Sequence, residues 1–311
     1  MAEKIATRAA YGKALAELGE THMFYVLDAD LSGSTQTGVF AKKFPKRFIN
    51  CGIAEQNMVA TAAGIAAAGI PAVCSSFAMF AAGRAFEQIR NSVAYPNLNV
   101  KICASHAGIT VGEDGPTHQF CEDIAVMRSI PNMTVINPAD AVETRAAMEA
   151  ILNYEGPVYC RLGRHPVPVL FDPSTYRFEW GKGMVLADGS DVAIVATGIM
   201  ADAALSARTL LASEGIDAAV LNIPTVKPLD GELIAGYAAK TGAVVTAEEH
   251  SVIGGLGGAV AELLSERCPT KMARVGIEDE FGKSAPADVL LEKYRLNPAG
   301  IADKVRRLLG R

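Results

Sequence analysis

The sequence has no closely paired cysteines and no apolar leader segment. Its six cysteines include no Cys-x-x-Cys pair, and most of them lie inside apolar runs such as Lys101-Ile-Cys-Ala104. Disulfide frameworks are typical of small secreted chains and structural zinc needs clustered ligands, so we expect reduced, buried thiols instead. The first eight residues include charged side chains and no apolar stretch of the kind that directs secretion. These absences predict a cytoplasmic protein.

A large charge of either sign is also absent. The formal net charge is −5, which gives no reason to expect a nucleic-acid partner or an anionic membrane surface. Residues 56–83 carry no charged side chain and are numerous enough to cross a bilayer. However, Pro71 interrupts this stretch and its apolar side chains are mostly alanine, which contribute little transfer free energy. We therefore predict a helix, a buried strand and a second helix, and no membrane span.

Short apolar strands alternate with helices along the first half of the chain. The pattern predicts strands at 24–27, 71–74, 100–103, 133–136 and 158–161. It predicts helices at 4–19, 54–68, 77–93 and 140–153, the last of them capped by Asp140. Such alternation is typical of a parallel sheet covered by helices on both faces.

The pattern lapses between residues 166 and 189, where prolines, glycines and isolated aromatic residues replace it. A second series then predicts strands at 191–196, 218–221, 243–246 and 272–275, and helices at 201–212, 256–266 and 298–309. A length of 311 residues also suggests about two domains. We predict two open-sheet α/β domains, at 1–172 and 189–311, joined by a linker at 173–188.

Three segments carry residue types that suggest chemistry. Glu55 begins an otherwise apolar helix, where the helix dipole alone could account for an acid. Phe77 and Phe80 share one helix face, which is more typical of core packing than of a cofactor pocket. The glycine-rich segment at 105–119, which follows the strand at 100–103, holds two histidines and two acids: His106, Glu113, Asp114 and His118. Ligands bind at the carboxyl ends of parallel strands, and glycines let a backbone approach a ligand closely. Two histidines and two acids at such a place suit a hydroxylated, anionic molecule.

Taken together, these segments resemble the transketolase family in order and spacing, from about Thr7 to the end of the chain. The shared stretches are Gly52-Ile-Ala-Glu-Gln56, Ser76-Phe-x-x-Phe80, Gly112-Glu-Asp-Gly-Pro-Thr-His-Gln119, Arg128-Ser-Ile-Pro-Asn132, Thr225-Val-Lys-Pro-Leu229 and Glu248-Glu-His250. The resemblance implies a pyrimidine-binding domain of a thiamine-diphosphate enzyme, followed by a transketolase carboxy-terminal domain.

The resemblance also implies roles around the cofactor. Glu55 would hydrogen-bond N1′ of the aminopyrimidine and so promote removal of the proton from the thiazolium C2. Phe77 and Phe80 would line the pyrimidine pocket, and Asp30 would lie near the cofactor at a subunit interface. The family often has a third aromatic residue in this pocket, where this chain has Ala82-Gly83.

For the sugar, the resemblance implies contacts from His106, Asp114 and His118. The implied positions for the substrate phosphate are Arg8, Ser34 and Arg161, since arginine binds phosphate through paired hydrogen bonds. From the residues alone, an exposed charge at Arg8 and an ordinary ion pair at the strand end for Arg161 stay open.

Thiamine enzymes of this kind hold the diphosphate through Mg²⁺ and a Gly-Asp-Gly motif, and the sequence contains no Gly-Asp-Gly. We therefore expect no metal ligands in this chain. The resemblance implies that a separate amino-terminal subunit binds Mg²⁺ and the diphosphate, and that the two chains form an α2β2 assembly acting on sugar phosphates.

The expected reaction is transfer of a two-carbon ketol unit from a ketose phosphate to an aldose phosphate. A chain like 1-deoxyxylulose-5-phosphate synthase is an alternative, but that family has Asp-Arg-Ala-Gly where this sequence has Ser105-His-Ala-Gly108. A 2-oxoacid dehydrogenase β subunit shares the domain plan and should lack the loop around Asp114. A transketolase subunit for a specialised sugar and a non-catalytic assembly subunit also stay open.

Overall fold

The secondary structure follows the predicted alternation. The computed structural model describes residues 3–311. The strands of this part of the chain are β1 (Lys4–Ala6), β2 (Tyr25–Asp28), β3 (Phe48–Asn50), β4 (Ala72–Ser75), β5 (Val100–Ala104), β6 (Thr134–Ile136), β7 (Val158–Arg161), β8 (Pro166–Pro168), β9 (Met184–Ala187), β10 (Val192–Ala196), β11 (Ala218–Asn222), β12 (Thr225–Lys227), β13 (Ala243–Ser251) and β14 (Lys271–Ile277).

The α-helices lie between these strands. They are α1 (Thr7–Leu18), α2 (Ser32–Thr35), α3 (Gly38–Lys43), α4 (Glu55–Ala67), α5 (Phe86–Gln88), α6 (Asp123–Arg128), α7 (Ala141–Leu152), α8 (Met200–Ala212), α9 (Gly231–Thr241), α10 (Leu256–Arg267), α11 (Ala287–Lys293) and α12 (Pro298–Leu309). Short 3-10 segments cover Pro45–Arg47 and Ile109–Asp114, and π-helical segments cover Met79–Arg84 and Ile89–Ala94.

The first sheet has seven strands in the order β12-β6-β7-β5-β4-β2-β3. From β6 to β3 every pair is parallel. Strands β4, β5 and β7 are buried along their whole length, which explains why their sequences are mainly apolar. The edge strand β12 lies antiparallel to β6, although it comes from the second half of the chain. The predicted α/β class is confirmed, and this strand ties the two halves together.

The second sheet has five strands in the order β14-β13-β10-β11-β9. Its parallel members β14, β13, β10 and β11 match the second predicted series. Strand β9 pairs antiparallel with β11 and falls inside the predicted linker at 173–188. The end of that segment therefore belongs to the second sheet, where its backbone groups are paired.

Side-chain caps mark the starts of α7, α9 and α12. Asp140 caps α7, since its Oδ1 accepts a hydrogen bond of 2.7 Å from the Glu143 amide, as predicted. The first helix begins at Thr7 rather than at residue 4, because β1 pairs with β8 before it. All six cysteines are free thiols. Among residues 3–311, no helix combines the length and apolar character needed to cross a membrane.

The sheet order brings four loops to one edge of the first domain. Strands β7, β5, β4 and β2 are consecutive parallel neighbours, so their carboxyl ends lie side by side. The chain leaves these ends directly towards Arg164, His106, Phe77 and Asp30. Strand ends of this kind are where open α/β sheets bind ligands.

Candidate active site

The glycine-rich loop, defined as Gly108–Gln119, leaves β5 and turns back on itself. Gly108 has a φ of 80° and Gly112 a φ of 86°, values that side chains with a Cβ rarely adopt. A bridge between Gly108 and Phe120 closes the base of the loop. The turn brings Asp114 and His118 back towards the end of β5, into the same cleft as His106.

His106 is 2% exposed and its ring stacks on that of Phe77, with ring centroids 3.7 Å apart. Arg8 Nη1 lies 3.1 Å from Nε2 of His106. Because a guanidinium can only donate, Nε2 accepts and Nδ1–H donates to Ser105 Oγ at 2.9 Å. Burial, followed by the positive charges of Arg8 and Arg164, lowers the pKa of His106 to about 3. The imidazole is therefore neutral around pH 7 and serves as a polar contact without charge.

A cleft of about 390 Å³ opens beside this histidine. Its walls are Arg8, Ser34, Phe77, His106, Asp114, His118 and Arg164. Arg8 Nη1 donates to the Ser34 carbonyl at 2.8 Å, and Arg164 Nη1 lies 3.2 Å from Asp114 Oδ2. Two guanidiniums face a single carboxylate, so the cleft suits an anionic, hydroxylated ligand.

Arg161 does not line this cleft, although the sequence suggested it for phosphate. It is 3% exposed, its Nε donates to Asp123 Oδ2 at 2.8 Å, and its Nη2 donates to the Glu249 carbonyl at 2.7 Å. It ends β7 in the buried boundary between the domains, as an ion pair at a strand end. Arg164, three residues further along the chain, lines the cleft instead. The sequence signal for it was a second arginine in the loop after the same strand.

Glu55 is the first residue of α4 and is 2% exposed. Its Oε2 accepts a hydrogen bond of 2.8 Å from Arg84 Nη1. The Arg84 guanidinium also lies over the Phe80 ring, 4.8 Å from its centroid. The arginine was not singled out in the sequence, where it reads as one more charge on a predicted helix.

Phe77 and Phe80 form an aromatic wall that is linked to Glu55 through Arg84, which lies over the Phe80 ring. Their rings are stacked, with centroids 5.8 Å apart and planes inclined by 14°. His118 approaches the Phe80 ring edge-on at 5.2 Å. A π-helical turn follows Phe77 where a regular helix was predicted, and π turns are frequent at functional sites. At Gly83, where the family often has a third aromatic residue, an added Cβ would meet the Met79 side chain at 3.1 Å and the Phe120 ring at 3.5 Å.

Asp30 lies at the surface on the loop after β2. Its Oδ1 accepts a hydrogen bond of 2.9 Å from Asn50 Nδ2, and its own amide donates to Asn50 Oδ1 at 3.1 Å. The structure therefore places it outside the cleft, held in a fixed position and open to contact from outside. Ser34 lies on α2 and faces the cleft beside Arg8.

Two transketolase domain families account for nearly the whole chain. The transketolase pyrimidine binding domain matches residues 3–169, and the transketolase C-terminal domain matches residues 181–301. The chain belongs to the transketolase family. It is 52% identical over 301 residues to a transketolase C-terminal section of Methanocaldococcus jannaschii, with 96% of this chain and 94% of that protein covered.

Two other transketolase-family proteins also match this chain over most of their own length. A 6-deoxy-6-sulfo-D-fructose transketolase subunit of Clostridium sp. strain MSTE9 is 49% identical over 270 residues, which cover 87% of this chain and 84% of that protein. A solved split gene transketolase, an inactive beta4 tetramer, superposes with a TM-score of 0.91 and 54% identity, over 99% of both chains. The chain is thus similar along its length to split members of the transketolase family.

Membership of the transketolase family implies dependence on thiamine diphosphate, and the residues present fit one end of that cofactor. A buried carboxylate at Glu55 suits a ring nitrogen, and the stacked rings of Phe77 and Phe80 suit a planar pyrimidine. Within residues 3–311, no three His, Cys, Asp or Glu side chains are grouped to hold a metal ion. The fit therefore concerns the pyrimidine end.

Proposed function

We propose that this chain is the β subunit of a thiamine-diphosphate-dependent transketolase that moves a two-carbon ketol unit from a ketose phosphate to an aldose phosphate. The observation that carries the proposal is a shared wall. Phe77 stacks on Phe80, whose ring lies under the Arg84 guanidinium that bonds Glu55, and Phe77 also stacks on His106 in the basic cleft. Residues suited to the pyrimidine thus adjoin a cleft suited to a sugar phosphate.

The cofactor residues would be Glu55, Phe77, Phe80 and Asp30. When bound, thiamine diphosphate supplies the electron-accepting thiazolium that ketol transfer requires. Glu55 would share a proton with N1′ of the aminopyrimidine, and the two phenylalanines would hold the ring in place. Asp30 would contact the cofactor region from the surface, where a second chain can approach it.

Arg84 gives Glu55 a partner within this chain. A buried carboxylate without a partner is costly, and the guanidinium removes that cost. We propose that the aminopyrimidine takes over part of this role. Because Arg84 is 48% exposed in its side chain, it has room to move away from Glu55 when the ring arrives.

The donor sugar would lie in the cleft. Asp114 and His118 would contact its hydroxyl groups, and neutral His106, whose Nε2 can only accept, would take a hydrogen bond from a hydroxyl group near its carbonyl. Arg8 and Arg164, with Ser34, would bind the phosphate through charge-assisted hydrogen bonds. Arg164 replaces Arg161 in this assignment because Arg161 is buried between the domains.

The partner would be an amino-terminal transketolase subunit that binds Mg²⁺ and the diphosphate, in an α2β2 assembly. The similarity to split-gene relatives supports this division, and so does the self-assembly named for one of them. We also place the assembly in the cytoplasm, since free thiols persist in a reducing compartment.

The anionic group of the substrate need not be a phosphate. A relative at 49% identity is named for a sulfonated fructose, and a sulfonate carries the same oxygen geometry towards two arginines. The sugar test should therefore compare a ketose phosphate with the matching sulfonated ketose. Preference for the sulfonate would assign the chain to a specialised sugar and leave the ketol transfer intact.

The first experiment is calorimetry of thiamine diphosphate with Mg²⁺, for this chain alone and for this chain mixed with an amino-terminal transketolase subunit from the same organism. We expect binding only in the mixture, with ketol transfer. Tight binding by the chain alone would contradict the division of the site. In the active mixture, Asp114→Ala and His118→Ala should mainly weaken handling of the donor, and unchanged donor KM and kcat would count against their role.

A further inference from the structure

The stretch Glu248-Glu249-His250 has no place in the chemistry above. It lies in β13 where the pairing register with β14 shifts, between Ala247 and Ser251. Irregularities of this kind redirect side chains. All three side chains are buried, although two are acids and the third is a histidine. Buried polar groups of this kind need specific partners.

Two of the three side chains have mainly structural partners. Glu248 accepts hydrogen bonds from the amides of Leu256 and Gly257, at 2.6 and 2.7 Å, and so caps α10. His250 Nε2 accepts from the Ala125 amide at 3.3 Å, across the domain boundary.

Glu249 also reaches across the domain boundary, into the glycine-rich loop. Its Oε1 accepts a hydrogen bond of 2.7 Å from the Thr110 amide, and both residues are at most 2% exposed. A Cβ at Gly108 would overlap this carboxylate, so the loop and the acid are in direct contact. The Glu249 carbonyl in turn accepts from Arg161, which fixes the acid against the first sheet.

The second domain holds the far end of the loop as well. Gln119 Nε2 donates to the Lys283 carbonyl at 2.9 Å and to the Ile109 carbonyl at 3.1 Å. Ser284 Oγ donates to the Glu113 carbonyl, next to Asp114. The second domain therefore bonds the loop at three places: Glu249 near its start, Ser284 near its middle and Lys283 at its end.

We propose that the second domain positions the glycine-rich loop for catalysis, with Glu249 and Gln119 as positioning residues. The inference rests on the proposed function, because it is Asp114 and His118 on this loop that would contact the sugar. A loop that turns at three glycines with positive φ has much conformational freedom to lose. Fixing it in advance removes that cost from substrate binding.

The decisive variants are Glu249→Leu, which removes the acceptor for Thr110, and Glu249→Gln, which keeps one. Gln119→Met removes the donated bonds at nearly constant volume and covers the case in which Glu249→Leu fails to fold. The matched control is Glu262→Gln. It removes the charge from the Arg128–Glu262 pair at the same domain boundary, where the two groups are 2.5 Å apart, and Glu262 has no hydrogen bond to the loop.

Hydrogen exchange of the chain alone reads the loop without any activity. We expect Glu249→Leu or Gln119→Met to raise exchange of the 110–119 amides about tenfold, the effect of losing one buried hydrogen bond. Glu249→Gln should restore most of the protection, and Glu262→Gln should change nothing. Unchanged loop exchange in both loop variants, or equal loosening by Glu262→Gln, would overturn the proposal.

Kinetics of the two-subunit enzyme then separates positioning from general damage. The loop variants should lower kcat/KM for the donor about tenfold and leave the affinity for thiamine diphosphate within about twofold. An equal loss of cofactor affinity, or an unchanged kcat/KM, would overturn the positioning role. If the wild-type mixture shows no ketol transfer, the proposed function fails, while the exchange result still decides whether the second domain holds the loop.

Discussion

The ion pair between Arg84 and Glu55 allows a quantitative prediction about the isolated chain. The two groups are 2.8 Å apart, and Glu55 is 2% exposed while the arginine is 48% exposed. At a charge separation of about 4 Å and an effective dielectric constant of about 20, the attraction is about 4 kcal/mol. Water on the exposed side of Arg84 screens part of this, and we expect Arg84→Met to lower the free energy of unfolding by about 1–2 kcal/mol.

The assay is urea unfolding of the isolated chain, in a double-mutant cycle with Glu55→Gln. In the Glu55→Gln background, Arg84→Met should cost little, because the glutamine leaves no buried charge to neutralise. Arg90→Met is the control, since Arg90 lies on the same stretch, is exposed, and bonds through Nη1 to the neighbouring Asn91 side chain. A coupling energy below about 0.3 kcal/mol would refute the claim that Arg84 sustains the buried carboxylate.

The same pair should behave differently in the two-subunit enzyme. If the aminopyrimidine bonds Glu55, Arg84 is no longer its principal partner, and the coupling should shrink when the cofactor is bound. Arg84→Met should then bind thiamine diphosphate at least as tightly as the wild type. A large loss of cofactor affinity would show instead that Arg84 is needed in the loaded site.

Four further substitutions test the site residue by residue. Glu55→Ala should abolish ketol transfer in the mixture while circular dichroism shows a folded chain, and near-normal turnover would contradict the assigned role. Arg164→Ala should raise the donor KM about tenfold with little loss of stability, whereas Arg161→Ala should lower the free energy of unfolding by about 3–5 kcal/mol, because it leaves buried acids unpaired; the reverse pattern would reinstate Arg161. For His106, the folded-state pKa of about 3 lies below the ordinary 6.5, so the unfolded chain binds the proton more readily and stability decreases as pH falls from 6.5 towards 3. Arg8→Gln should raise that pKa, which NMR titration of the imidazole measures, and an unchanged titration would refute the contribution of Arg8.

The sheets of this protein could be predicted from the sequence because their strands are buried on both faces. Strands such as β4, β5 and β7 therefore appear as mainly apolar stretches of the right length, although β5 contains Lys101 and β7 ends in Arg161. The cap at Asp140 was predictable for a related reason, since it depends on residues three positions apart. The cap depends on a local interaction, and the strands depend on burial, which the apolar composition of a stretch indicates.

The elements that were not predicted depend on distant parts of the chain. Strand β12 forms because its backbone pairs with β6, about ninety residues earlier in the chain. Strand β9 forms because its backbone pairs with β11. The π-helical turn after Phe77 replaces a regular helix, and its sequence gives no change of hydrophobic period that would reveal the shift. Tertiary contacts determine these two strands and the π-helical turn, and the pattern of residues along the chain does not indicate such contacts.

The residues of the site also fall into those that the sequence indicated and those that it did not. The residue types of the loop near His106, at the end of a parallel strand, indicated a ligand site, whereas Glu55 and Phe77 were indicated only by the family resemblance. The choice between Arg161 and Arg164 could not be made, since three positions separate a buried strand end from an open cleft. The partnership of Glu249 with Thr110 joins residues of different domains, and only the fold brings them together.

A chain that supplies part of a shared site has to be stable before the rest of the site arrives. Here the polar groups assigned to the cofactor and the sugar have partners within the chain: Glu55 has Arg84, His106 has Arg8, and Asp114 has Arg164. Each partner is a cation or donor that a ligand group can replace. Binding would then exchange one polar partner for another and would avoid the cost of first exposing an unpaired buried charge. On this view the three arginines prepare the site for its ligands, and the Arg84 double-mutant cycle is the most direct measure of that preparation.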